Sequence, residues 1–312
     1  MVDKWIDQLK DLKCLSEDDL EQLCEKTKEI FLEESNVQYV NAPVIICGDI
    51  RGQIYTLLEI LKKCGEISNK RFIFMGNYIN GDNGVEVFEL LLSLKIKYPE
   101  QITLLRGNQE CRYNGNYYGF LDETLRKYGN GNAYQYFIDL FDYLPLAALV
   151  EGKIFCVHGG LSPFISVVDQ IRFINRKMEI PSGFCSDGMD SCKSPDALSD
   201  LLYGYPDDIE TWDPNLRWPG YGFGWKVANK FNHINGLELI CCGASIVQEG
   251  FKYYFKEKNV CLVFSTPNLR NRGNKASILK MDKELSRTIV FLDYSEKKSS
   301  NEHSKAMFPS FL

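Results

Sequence analysis
Short apolar runs alternate with amphipathic segments along this chain, and polar turns containing glycine separate them. Leu20, Leu23, Cys24, Thr27 and Phe31 recur at three- and four-residue intervals, which predicts one helix face, and Ser16 with Asp19 forms a helix start. From Asn41 the period changes. Pro43 precedes Val44-Ile45-Ile46-Cys47, a continuous apolar run that reads as a buried strand and stops at Gly48-Asp49-Ile50-Arg51-Gly52. Ile54, Leu57, Leu58 and Leu61 then form a helical stripe closed by Gly65. The unit repeats: a strand at 71–75 runs into Gly76-Asn77-Tyr78-Ile79-Asn80-Gly81-Asp82 and a helix at 85–94. A third strand at 102–105 runs into Arg106-Gly107-Asn108-Gln109-Glu110, and a strand at 154–157 ends in His158-Gly159-Gly160. Further strands are predicted at 237–242, 260–264, 275–281 and 288–292. Strand, glycine-containing turn and helix in succession predict an α/β sandwich. In such folds the crevice at the carboxyl ends of the strands collects polar groups, which places Asp49, Asn77, Asn108 and His158 together.

Composition narrows the classes. With 312 residues, 45 % hydrophobic and 13 % aromatic, the chain can build a large core. A net charge of −6, from 36 basic and 42 acidic side chains, argues against bulk nucleic-acid binding. The 11 cysteines include no CxxC pair, and MVDKWIDQLK lacks the apolar region of a signal peptide, so a reduced cytoplasmic or nuclear setting is expected. Cys47, Cys156, Cys241, Cys242 and Cys261 sit in apolar runs as small buried hydrophobes. Leu144–Val150 is far short of the roughly 20 residues a membrane span needs, so no membrane association is expected. Residues 1–294 read as a single domain with a loop insertion at 184–196, and 295–312 as a flexible tail. No turn has nucleotide-binding glycine spacing. Of three histidines, His233 ends a helical segment, His303 lies in the tail, and His158 alone sits at a strand end.

A strand-end cluster of Asp, Asn and His is what a two-metal phosphoesterase uses. Here the likeness becomes specific. Ser35-Asn-Val-Gln, Leu125-Arg-Lys-Tyr-Gly, Tyr136-Phe-Ile-Asp-Leu-Phe-Asp-Tyr-Leu-Pro-Leu and His158-Gly-Gly-Leu-Ser-Pro make the chain resemble the metal-dependent Ser/Thr phosphoprotein phosphatases, in particular the type 2A catalytic subunits. That resemblance implies a metallophosphatase-like, four-layer αββα sandwich with two central mixed sheets. It also implies two divalent metals of the Mn, Fe or Zn kind. The family motif Gly-Asp-x-His-Gly reads Gly48-Asp49-Ile50-Arg51-Gly52, so the Asp ligand is kept and Arg51 replaces a His ligand. Gly-Asp-x-Val-Asp-Arg-Gly reads Gly76-Asn77-Tyr78-Ile79-Asn80-Gly81-Asp82. Asn77 thus stands for the bridging carboxylate, Asn80 for the Asp that orients the catalytic His, and Gly81 for a phosphate-gripping Arg. Gly-Asn-His-Glu reads Gly107-Asn108-Gln109-Glu110, with Asn108 a retained metal ligand and Gln109 in place of the general acid. His158 matches another metal ligand and Arg217 the second phosphate-binding Arg, while Ala244 stands for the last histidine ligand. Phe311-Leu312 resembles the family tail that is methylated at its terminal Leu.

Charge weighs these replacements. Asp49 and Arg51 cancel, Asn77 is neutral, and Asp49, Asn108 and His158 are the candidate ligands that are left. No cofactor at full occupancy is expected from this, only a single residual ion. The expectation is a pseudophosphatase that has lost most hydrolysis of phosphoserine and phosphothreonine, with no intact catalytic residue. It would act by docking on a helical-repeat scaffold subunit and regulatory subunits of the type 2A kind. Two alternatives stand beside it: a weakly active Ser/Thr phosphatase of phosphoproteins with a residual metal site, and a non-catalytic phosphopeptide-binding module using Arg51 and Arg217.

Overall fold
The computed structural model describes residues 1–180, 196–214 and 219–293. The tail at 295–312 with its Phe311-Leu312 end, Arg217, and the insertion at 184–196 except for its last residue lie outside the described residues. That last residue, Asp196, caps a helix by accepting a hydrogen bond from the Leu198 N–H at 3.1 Å.

In chain order come α1 (Val2–Lys10), α2 (Glu17–Glu33), β1 (Val37–Val40), β2 (Val44–Cys47), α3 (Ile54–Cys64), β3 (Arg71–Phe74), α4 (Gly84–Lys97) and β4 (Ile102–Leu104). Then follow α5 (Arg112–Tyr117), α6 (Phe120–Tyr128), α7 (Asn132–Phe141), β5 (Ala147–Val150), β6 (Ile154–Val157), α8 (Ala197–Tyr203), β7 (Tyr205–Pro206), β8 (Trp212–Pro214) and β9 (Tyr221–Phe223). Last are α9 (Trp225–Asn235), β10 (Leu239–Cys242), β11 (Phe251–Tyr254), β12 (Val260–Val263), β13 (Ala276–Met281) and β14 (Arg287–Leu292). The predicted stripe of α2 is the buried one, and Ser16 Oγ accepts from the Asp19 N–H at 3.2 Å. Helix α4 is buried on nearly all sides, so its pattern is apolar throughout rather than striped. Its Glu86 ion-pairs with Lys127, and its Glu89 accepts from the Tyr128 hydroxyl.

Two mixed sheets stack face to face. One has the order β14-β13-β2-β3-β4, with β2, β3 and β4 parallel and β13 antiparallel to β2. The other has the order β1-β5-β6-β10-β12-β11, with β10 parallel to both β6 and β12. Alternation along each strand divides the core. Val44, Ile46, Ile73 and Leu279 meet Ala148, Cys156, Cys241 and Val263 between the sheets. Ile45, Cys47, Phe72 and Phe74 point the other way, into the aromatic core of α4, α6 and α7 around Phe88, Phe120, Phe137 and Phe141. On the opposite outer face, Phe155, Ile240 and Cys242 pack with Leu198 of α8 and Phe231 of α9. Helix, sheet, sheet, helix is the expected four-layer sandwich. A small third sheet, β7-β9-β8, sits beside α9. The five strand cysteines are free and buried as expected. Among the described residues, no helix is long and apolar enough to cross a membrane.

Candidate active site
The turns that follow β2, β3, β4, β6 and β10 meet in one crevice. Its floor depends on close backbone approach. A Cβ on Gly48 would collide with the Val263 carbonyl, and one on Gly76, at φ 103°, would lie 2.5 Å from Gly107. The Gly48 N–H donates to Ser265 Oγ at 2.9 Å and Thr266 Oγ1 donates to the Asp49 carbonyl at 2.7 Å, which ties the β2 turn to the end of β12. Left-handed backbone at Arg51, Asn77 and Asn80 (φ 48°, 54° and 76°) turns the loops sharply. The Arg51 N–H bonds the Asn77 carbonyl at 2.8 Å and locks two of them together.

Asp49 is wholly buried. Its Oδ2 receives Arg51 Nε at 2.8 Å, Arg51 Nη2 at 2.7 Å and Asn77 Nδ2 at 2.9 Å. Its Oδ1 has no hydrogen-bond partner. Asn77 is fully committed, because its Oδ1 accepts from the Gln109 N–H at 3.0 Å while its Nδ2 serves Asp49. His158, also wholly buried, donates from Nδ1 to the Met75 carbonyl at 2.7 Å. Burial is the main force lowering its pKa, with the Arg51 charge adding to it, against the opposing pull of Asp49 and the Met75 carbonyl. The ring is therefore neutral at pH 7, and its 3.9 Å approach to Asp49 Oδ1 is a neutral contact. With Nδ1 protonated, Nε2 presents a lone pair, and the Asn108 side-chain amide lies 3.3 Å from it.

Asp49, Arg51, Asn77, Asn108, Gln109 and His158 are thus brought together. Ala244 contributes only its N–H, which with that of Gly243 bonds the His158 carbonyl. Asn80 and Gly81 lie on the turn behind Arg51. Asn80 Oδ1 is buried without a partner, and a Cβ on Gly81, at φ 118°, would fall 2.5 Å from the Arg51 carbonyl. Gln109 Oε1 is a further buried acceptor without a partner. His233 is exposed in the last turn of α9, away from this chemistry. Motif reading missed the role of Glu110. Its carboxylate accepts from the Asn77 N–H at 2.7 Å, the Tyr78 N–H at 2.9 Å and the Gly107 N–H at 3.0 Å, clamping the β3 and β4 turns. An acid directly after the Gly107-Asn108-Gln109 turn was its signal.

For a cation the crevice offers the bare Asp49 Oδ1, Asn108 Oδ1 and the neutral His158 Nε2. Asn108 and His158, 3.3 Å apart, are an oxygen and nitrogen pair that could share one divalent ion, whereas Asp49 Oδ1 approaches the ring on its Nδ1 side, at 3.9 Å. These donors do not fit a carboxylate-bridged pair, since Asn77 turns an N–H toward Asp49 and has no free oxygen. Among the described residues, no three His, Cys, Asp or Glu side chains converge to hold a metal.

The fold is that of the metal-dependent phosphoesterases, and the family model described as calcineurin-like phosphoesterase matches residues 42–243. The chain belongs to that family, whose members use divalent metals. Within it, the chain is similar to the serine/threonine-protein phosphatase SIT4 of Candida albicans, at 46 % identity over 91 % of this chain and 88 % of that one. It is also similar to the serine/threonine-protein phosphatase PP1-1 of Saccharomyces cerevisiae, at 44 % identity over 97 % of this chain and 96 % of that one. Among solved structures, a Saccharomyces cerevisiae serine/threonine phosphatase described as similar to human phosphatase PP5 shares the fold. Its TM-score is 0.81 at 24 % identity, covering 91 % of this chain and 92 % of that one. A cold-active protein-tyrosine phosphatase of a psychrophilic Shewanella shares it more distantly, with a TM-score of 0.60 at 17 % identity over 85 % and 84 % of the two chains.

These relatives overturn the expectation of a pseudophosphatase acting only through docking. Both long matches carry the name of serine/threonine phosphatases across nearly their whole length. The physical reason the motif count misled is that it scored side chains one at a time. The fold keeps a neutral, oriented imidazole against an amide oxygen and leaves one oxygen of a buried carboxylate open.

Proposed function
We propose that the chain is a slow phosphoserine and phosphothreonine protein phosphatase that works with a single divalent cation. The observation that carries this reading is the buried, oriented His158 ring with the Asn108 side-chain amide 3.3 Å from its Nε2, and the unpartnered Asp49 Oδ1 3.9 Å from its Nδ1. The names of the relatives support the substrate class. His158 and Asn108 would hold the ion, which would supply Lewis acidity toward a phosphoryl oxygen and lower the pKa of a water molecule. The Met75 carbonyl fixes the ring tautomer and orientation, and burial keeps the ring an electron-pair donor. Gln109 sits where the resemblance places the general acid, and its amide cannot release a proton. Loss of a general acid costs about 10²–10⁴ in rate. Leaving groups that need no proton should suffer least, so aryl phosphates should turn over far faster than phosphoserine peptides.

The family likeness also supports docking on a helical-repeat scaffold and regulatory subunits of the type 2A kind, in a cytoplasmic or nuclear setting. The test of the catalytic reading is manganese-stimulated hydrolysis of p-nitrophenyl phosphate by the purified chain beside His158→Ala and Asn108→Ala. Stimulation that falls at least about tenfold in both variants is expected. No stimulation in the parent chain, or equal stimulation in all three, overturns it.

A further inference from the structure
We infer that Arg51 is the phosphoryl-binding cation of this site, a guanidinium held in place by Asp49 that grips substrate beside a single metal ion. The inference rests on the one-ion reading above and goes beyond it by assigning the group that holds the phosphate.

An arginine whose task is to neutralise a carboxylate forks across both of its oxygens. Here Nε and Nη2 converge on Asp49 Oδ2 alone, at 2.8 and 2.7 Å. Oδ1 is left without a hydrogen-bond partner, and both contacts to Asp49 use the Nε and Nη2 edge of the guanidinium. The guanidinium is ordered before any substrate arrives. The left-handed backbone of Arg51 is bonded to the Asn77 carbonyl, its charge lies 5.9 Å from the centroid of the Phe264 ring, and its side chain is 16 % exposed. It is thus partly desolvated yet open to the crevice, so little ordering cost is left for binding.

Charge decides when it can act. Asp49 and Arg51 cancel, so the crevice alone has little pull on a phosphate dianion. One divalent ion held by Asn108 and His158 would raise the local charge to about +2, which matches the dianion. The turn at Gly81, where the resemblance would put a phosphate-gripping arginine, has no side chain and packs on the Arg51 carbonyl. Arg51, whose backbone carbonyl packs against that turn, brings a guanidinium to the crevice from the neighbouring loop. Metal and phosphate should bind cooperatively, each strengthening the other by the same factor.

The experiment is calorimetric titration of the full chain with inorganic phosphate, with and without Mn²⁺, for the parent, Arg51→Met and Arg51→Lys, with thermal melting as a folding control. We expect Mn²⁺ to bind Arg51→Met at least as tightly as the parent. Phosphate affinity in the presence of Mn²⁺ should fall about tenfold or more in that variant and recover in part in Arg51→Lys. A structural role would weaken both ligands together, and that result, or unchanged phosphate affinity in Arg51→Met, overturns the inference. A parent chain that takes up no Mn²⁺ defeats the one-ion reading. Phosphate binding that still depends on Arg51 would then uphold the guanidinium's role, and its absence would remove both.

Discussion

Two carboxylates share the crevice, and both are wholly buried, yet they are used in opposite ways. Glu110 spends both oxygens on backbone N–H groups from two different turns. Asp49 crowds three donors onto one oxygen and leaves the other with none. Burial pushes the Glu110 pKa up to about 7 against the downward pull of its three N–H donors, and the charge of Asp49 pushes in the same direction as burial. A buried acceptor without a partner costs free energy, so native chains rarely keep one without a use. The contrast separates two uses of a buried carboxylate within a few ångströms: Glu110 holds the loops, and Asp49 keeps an oxygen that no protein donor occupies.

The sharpest way to break this contrast is Glu110→Ala. It strands three buried N–H groups, each worth about 1–3 kcal/mol when left unpaired, so a loss of about 3–9 kcal/mol is expected. That is a large share of the stability of an ordinary domain. Urea denaturation should show it as a shift in midpoint at constant slope. Glu110→Gln, which keeps one acceptor oxygen, should fall between. A loss below about 1 kcal/mol for Glu110→Ala would mean that the clamp is ornamental and that both carboxylates belong to the ligand site.

Asp49→Asn probes the other side. The amide keeps the shape and one acceptor, and Arg51 is exposed enough to recover solvation, so stability should change by only about 1–2 kcal/mol. The affinity for Mn²⁺ should fall at least tenfold, because the one formal negative charge among the donors is gone. Metal titration and denaturation on the same preparation separate the two effects. A variant that unfolds like Glu110→Ala and still binds manganese would reverse the assignment.

Much of this was open to reading in the chain. Val44–Cys47 announces a strand between two layers because all four residues are apolar, and the glycine turns behind it place Asp49, Asn108 and His158 in a common crevice. The attraction of Arg51 to Asp49 follows from charge two residues apart. The job of Glu110 was hidden because two of its three partners are backbone N–H groups more than 30 residues away, and an N–H has no letter in the sequence. The neighbours β1 and β5, parallel with Val37 opposite Ala147, are likewise joined by no local signal. The pseudophosphatase expectation went wrong for a related reason. Replaced letters are visible, whereas an open oxygen or an oriented imidazole is a property of the assembled loops.

Asp200 is the intermediate case and the smallest test of the comparison. It is buried on α8 and receives one short bond, from Ser162 Oγ at 2.6 Å. Burial raises its pKa to about 6, the Ser162 bond opposes that, and the charge of Asp196 adds to it. The folded state therefore holds this proton more tightly than the unfolded chain does. Stability should fall as pH rises from about 4 to about 6 and be flat above, the reverse of a salt-bridged carboxylate. Discounted for partial solvent screening, the loss across that window is about 1 kcal/mol. Asp200→Asn should remove this component, gaining up to about 1 kcal/mol on the parent at pH 7 relative to pH 4. The readout is the difference between parent and variant urea midpoints across pH 4 to 7, in which other titrating groups cancel. Parallel pH profiles for the two proteins would show that one hydrogen bond suffices to offset burial. In that case the number of donors, on which the distinction between Glu110 and Asp49 rests, would not set the cost of a buried carboxylate here.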